Sequence, residues 1–168
     1  MIKLKTVIEE NGCNFFTGVP DSGLKSFIKE IQISEFEHIP ATNEGQAIGI
    51  AVGAELAGKK SCVYLQNSGL GNAINPMLSL ADKEVFGIPM IILIGWRGEP
   101  GTKDEPQHLK QGKVLLPMIK SMELPYRVLT GDMNQDKKSI STLIYDVESN
   151  KTPGFLIAKT GVFLPYDR

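Results

Sequence analysis

Five side chains in this sequence have types and settings that could move protons or hold an anion. Glu44 stands in the first turn of a small-residue helix, Ala41-Thr42-Asn43-Glu44-Gly45-Gln46-Ala47-Ile48-Gly49-Ile50-Ala51-Val52-Gly53-Ala54, with Thr42 as a candidate N-cap. A carboxylate at the end of a tightly packed helix is held in one place, which a proton carrier requires. The plain alternative is that Glu44 complements the helix dipole. His108, beside Gln107 at another helix start, is the better histidine for proton transfer, because His38 reads as an ordinary strand residue. Arg97 follows the most apolar strand, and its guanidinium could clamp a phosphonate, sulfonate or carboxylate. Asp21 and Ser22 lie in the turn Gly18-Val19-Pro20-Asp21-Ser22-Gly23, where their default role is to cap a helix.

The elements that must position these groups alternate regularly. A short helix is expected over residues 4–10, then strands over 14–17, 36–40, 61–65, 89–94, 126–129 and 155–158. Leu24, Phe27, Ile28 and Ile31 keep helical spacing, as do Ile140, Leu143, Ile144 and Val147. Further helices are expected over residues 72–82, with Pro76 tolerated in the first turn, and over 107–122. The helix after the second strand is unusual, because each glycine in it costs roughly 1 kcal/mol relative to alanine. Gly45, Gly49 and Gly53 share a face, so close approach to a sheet or a second subunit is the expected reason for them. This alternation predicts an α/β fold, a doubly wound, mainly parallel six-stranded sheet with helices on both faces. Ligands of such sheets bind beyond the carboxyl ends of the strands. The turns found there are residues 18–23, 41–45, 66–72 and the long polar loop 95–106.

Bulk properties remove several function classes. The 168 residues suit one domain, residues 1–168. With 18 basic and 19 acidic side chains the net charge of −1 gives no footprint for nucleic acid or an anionic membrane. Cys13 and Cys62 lack CxxC spacing and read as buried thiols of a reducing compartment, so a cytoplasmic location is expected. No apolar run is long enough to span a bilayer. Gly69-Leu70-Gly71-Asn72-Ala73-Ile74 has two glycines of a dinucleotide fingerprint but Ile74 in place of the third, and the turn at residues 18–23 lacks the Lys and Ser/Thr of a P-loop. Neither Ser22 nor Ser68 has a GxSxG setting.

Four stretches together carry a more specific signal: Thr17-Gly18-Val19-Pro20-Asp21-Ser22, Asn43-Glu44-Gly45, Gln66-Asn67-Ser68-Gly69-Leu70-Gly71-Asn72, and Gly95-Trp96-Arg97-Gly98-Glu99-Pro100-Gly101 through Asp104-Glu105-Pro106-Gln107-His108. In these the chain resembles the pyrimidine-binding (Pyr) domain of thiamine diphosphate-dependent 2-oxo acid decarboxylases. The last stretch is most similar to the branch acting on phosphonopyruvate, with the sulfopyruvate branch as a near relative. The resemblance implies that Glu44 hydrogen-bonds the cofactor's aminopyrimidine and activates it. It also implies that Asn67, Gly69, Gly71 and Asn72 lie against that ring, that Asp21, Ser22, Arg97 and Gln107 face the substrate, and that His108 exchanges a proton. Many relatives carry two adjacent histidines in the last loop, whereas here His108 follows Gln107.

Magnesium and the diphosphate are held in this family by a GDG motif followed by Asn. Gly131-Asp132-Met133 lacks the second glycine, so no metal ligand is expected in this chain. The resemblance therefore implies a diphosphate-binding partner subunit or domain carrying GDG and Asn, in a homo- or hetero-oligomer that acts on a small 2-oxo acid.

Overall fold

The computed structural model describes residue 8 and residues 10–163; the expected helix over residues 4–10 lies largely outside them. Six strands form one sheet: β1 (Phe15–Gly18), β2 (Glu37–Pro40), β3 (Ser61–Gln66), β4 (Met90–Gly95), β5 (Tyr126–Leu129) and β6 (Pro153–Ala158). Their order is β2-β1-β3-β4-β6-β5, and every pairing is parallel. Parallel pairing needs a crossover between successive strands, and helices α1 (Lys25–Gln32), α2 (Glu44–Leu56), α3 (Leu70–Pro76), α4 (Pro106–Ser121) and α5 (Met133–Asn150) supply them. The fold is thus the doubly wound parallel sheet that the alternation predicts.

Residues of period two divide the core into two layers. Cys62, Tyr64, Ile91 and Leu93 face α1 and α5, while Val63, Leu65, Ile92 and Ile94 face α2, α3 and α4. Burial on both faces is why β3 and β4 read as continuous apolar runs at the centre of the sheet. Cys13 and Cys62 are buried free thiols. Burial pushes the Cys13 thiol up to about 12. No helix among the described residues is long and apolar enough to cross a membrane.

Three local expectations change. Asn43 rather than Thr42 caps α2, its side chain accepting from the Gln46 N–H, while Thr42 donates to the Gln46 side chain. Pro76 ends α3 instead of lying in its first turn, and a π-turn follows at Met77–Ala81. Proline has no N–H to continue the α ladder, so the wider turn takes over. The glycine face of α2 does not press on the sheet; Ala47, Ile48, Ala51 and Val52 do that. Of the three glycines, Gly45 alone has a packing reason among the described residues, because a Cβ there would lie 2.9 Å from the Asn72 carbonyl oxygen. Gly49 and Gly53 are exposed, with nothing within 4 Å of where a Cβ would stand.

The strand order reverses direction at β1. The chain leaves β1 for β2 on one side, then crosses to β3 on the other. The connections leaving β1 and β3 therefore diverge to opposite faces, opening a crevice at their carboxyl ends.

Candidate active site

Glu44 begins α2 at that crevice. One carboxylate oxygen, Oε2, accepts from the Asn72 amide at 2.8 Å. No described group donates to the other oxygen, Oε1. The carboxyl lies against Gly69, and a Cβ on that residue would overlap it. Gly69 is therefore required by its neighbour rather than by a turn, and Gly71, exposed and open on its Cβ side, is free of any such constraint. Of the two glycines that imitate a nucleotide fingerprint, this close approach accounts for Gly69.

Asp21 follows β1 and is 4% exposed. Neither of its carboxyl oxygens has a hydrogen-bond partner among the described residues. It does not cap the turn Ser22–Leu24 that follows. Burial raises its pKa above the usual carboxylate value, offset in part by the Gly23 backbone, by Arg97 and by His108. With the Gly23 backbone close but not in good hydrogen-bonding geometry, burial costs the anion more than the acid and shifts this carboxyl toward its protonated form. Ser22, one residue on, is exposed and receives Arg97 Nη1 at 3.3 Å.

The loop after β4 is ordered by Asp104. Its carboxylate accepts from Arg97 Nε at 2.9 Å and Nη2 at 2.6 Å, from the Gly98 N–H at 2.7 Å and from the Glu105 N–H at 2.8 Å. His108 Nδ1 lies 3.0 Å from the same group. Arg97 first, then His108, hold the Asp104 carboxyl far below the usual range. Asn67 ties the loop to β3, donating to the Arg97 carbonyl at 2.9 Å and accepting from the Arg97 N–H at 3.0 Å. Gly98 adopts φ 68°, and α4 passes so close that a Cβ on Gly98 or Gly112 would overlap backbone. Trp96 Nε1 donates to the Gly112 carbonyl at 2.9 Å and closes the crossing.

These geometries refine the expected roles. Glu44, Gly69 and Asn72 meet, and Asp21, Ser22, Arg97 and His108 gather around the loops of β1 and β4. Asn67 is buried with both ends of its amide engaged by Arg97 backbone, so its side chain serves the loop. Gln107 is exposed and its side chain makes no hydrogen bond within the described residues. Asp104 carries the densest polar contacts of the region, and the sequence alone does not single it out from the neighbouring acids Glu99 and Glu105. Asp132, in the Gly131-Asp132-Met133 stretch, caps α5 by accepting from the Gln135 N–H.

A cavity of about 290 Å³ lies beside the cluster, lined by Ser22, Arg97, Asp104, Lys159 and Thr160 among others. A larger one of about 650 Å³ sits at the opposite, amino edge of the sheet, lined by Leu78, Met122, Leu124 and Asn150. Size alone would favour the second. The gathered acid, imidazole and guanidinium groups favour the carboxyl edge.

The free Oε1 of Glu44 and the orphaned Asp21 carboxyl are the features a bound nitrogen heterocycle and a reacting acid would occupy, so the residues present fit a thiamine cofactor. The comparisons with known proteins agree. Residues 4–117 match the family described as thiamine pyrophosphate enzyme, N-terminal TPP binding domain. The sulfopyruvate decarboxylase subunit alpha of Methanococcus maripaludis is 37% identical over 120 residues, 71% of this chain and 70% of that one. The phosphonopyruvate decarboxylase of Streptomyces viridochromogenes is 32% identical over 149 residues, which is 87% of this chain but 37% of that protein. A crystal structure described as that of a thiamin diphosphate-dependent enzyme from Mycobacterium smegmatis superposes with a TM-score of 0.67 at 20% identity, over 95% of this chain and 30% of the other. It supports the fold alone. The chain belongs to the thiamine pyrophosphate enzymes, in their N-terminal TPP-binding domain.

Proposed function

We propose that this chain, as a single Pyr domain, is the pyrimidine-binding half of a decarboxylase that converts phosphonopyruvate to phosphonoacetaldehyde and carbon dioxide, with sulfopyruvate as the alternative substrate. The observation that carries the reading is the Glu44 carboxylate, seated over Gly69 with one oxygen bonded to Asn72 and the other open. When bound, thiamine diphosphate supplies a cationic ring that accepts the electrons left as carbon dioxide departs. Glu44 would hold a proton at the aminopyrimidine, and Gly69, Gly71 and Asn72 with the Asn67 backbone would line it. Asp21, buried beside Arg97 and His108, would exchange a proton near the reacting carbon. Ser22 and Arg97 would meet the substrate's second acid group, with Gln107 at the rim.

Magnesium and the diphosphate would be held by a partner subunit or domain carrying GDG and Asn. The names of the relatives support such an assembly, since one is a subunit alpha and the other is a longer chain. The open face at Gly49 and Gly53, close to Glu44 in the chain, supports it too. The buried free thiols of Cys13 and Cys62 support a reducing, cytoplasmic setting, and the balanced charge supports a small-molecule substrate rather than nucleic acid.

The test is reconstitution with a diphosphate-binding polypeptide carrying GDG and Asn from the same genome, supplied with thiamine diphosphate and magnesium. The loaded complex is expected to release carbon dioxide and phosphonoacetaldehyde, while the chain alone turns over nothing. Preference for sulfopyruvate would move the substrate assignment. Assembly and cofactor loading without turnover of either acid would favour a noncatalytic module that keeps the same fold.

A further inference from the structure

Asp104 has no role in the reading above, yet it holds Arg97, which does, and His108, which the family resemblance assigns to proton exchange. Its two oxygens receive five contacts: two from the Arg97 guanidinium, two from backbone N–H groups of Gly98 and Glu105, and one from the His108 ring. Its side chain is 9% exposed, and those of Arg97 and His108 are 26% and 15% exposed. The loop that carries it is pinned from outside the cluster, by Asn67 and by the Gly98 to Gly112 crossing. Rigid support on every side is what separates a positioning group from a surface ion pair.

We infer that Asp104 is a positioning residue that fixes the tautomer of His108 and the orientation of Arg97 as one unit. An ionised carboxylate only accepts hydrogen bonds, so the His108 Nδ1 facing it must carry the hydrogen. The neutral ring then has a bare Nε2, and Nε2 is the atom that takes up and returns a proton. On the other side, the bidentate pair occupies Arg97 Nε and one Nη2 hydrogen and leaves Nη1 directed to Ser22. Asp104 thus decides which nitrogen of each base remains available. The catalytic consequence rests on the decarboxylase reading, whereas the tautomer does not.

The experiment exploits the presence of only two histidines, His38 and His108. Nitrogen-15 spectra of the full chain at alkaline pH, with the rings neutral, are expected to show His108 protonated on Nδ1. In Asp104→Asn one face of the carboxylate becomes an amide donor, and the Nδ1–H form of His108 is expected to fall by about half or more. His38, whose Nε2 contacts the Tyr64 hydroxyl at 2.7 Å, is the internal control and should not change. Turnover of the reconstituted Asp104→Asn complex is expected to fall roughly tenfold to a hundredfold. A wild-type His108 protonated on Nε2 would overturn the inference, as would an unchanged tautomer in the variant. If the variant does not fold, the wild-type spectrum decides alone. Failure of the wild-type complex to turn over either oxo acid would refute the decarboxylase reading and leave the tautomer result standing.

Discussion

Replacing Glu44 by Gln is expected to lower turnover of the reconstituted complex by roughly a hundredfold or more while leaving assembly intact. The substitution preserves shape and one acceptor oxygen, so the Asn72 amide keeps a partner and the contact with Gly69 is retained. Helix α2 also keeps its cap, because Asn43 and Gln46 supply it. What disappears is the ability of residue 44 to take and hold a proton at an atom facing the ring. Loss of rate with the assembly preserved therefore isolates proton control from packing. Steady-state kinetics alongside size-exclusion chromatography of both complexes would read the two effects separately. Near wild-type turnover would show that residue 44 is a structural contact.

The second large effect is expected at Asp21, where activity and stability should move in opposite directions. A buried carboxyl with neither oxygen bonded is retained at a cost to the fold. Its pKa is raised in the folded state, so the stability it contributes is complete below the ordinary carboxylate pKa and is lost as pH rises through the folded value. Asp21→Asn removes the charge. The variant is expected to be more stable than the wild type at neutral pH by about 1 kcal/mol, raising Tm by roughly 2–4 °C, with a flatter dependence on pH. Turnover is expected to fall about a hundredfold, because an amide can neither take up nor return a proton. Thermal unfolding across pH, set beside kinetics, checks both halves. A variant that is less stable and fully active would remove Asp21 from the chemistry.

The parallel sheet is legible in the sequence because its central strands are buried on both faces, leaving apolar runs at 61–65 and 89–94 that no edge strand would carry. Helices α1 and α5 announce themselves by spacing for the same reason: each buries one stripe against one layer. The end of α3 is not legible. Whether a proline opens or closes a helix depends on where the preceding turn is capped, and Gly69 begins that turn because Glu44, distant in sequence, leaves no room for a side chain. The glycine repeat of α2 misleads in the same way, since spacing reveals that Gly45, Gly49 and Gly53 share a face but not what that face meets.

The candidate site is legible in kind and not in wiring. Turns at strand ends name Asp21, Glu44, Arg97 and His108. Nothing local distinguishes Asp104 from its acidic neighbours Glu99 and Glu105 until the loop folds back and places it between Arg97 and His108. Asn67 shows the converse. Its place in a glycine-rich turn suggests contact with a ligand; its amide matches the N–H and C=O of Arg97, thirty residues away, and holds the loop, a role no local pattern reveals.

The most direct measurement is a crystal structure of the reconstituted complex with thiamine diphosphate bound. A ring nitrogen of the aminopyrimidine within hydrogen-bonding distance of the Glu44 carboxylate, about 3 Å, with Asn72 still bonded to its other oxygen, is the predicted result. A cofactor bound elsewhere, with the Glu44 carboxylate engaged only by Asn72 and by contacts of the fold, would contradict the account.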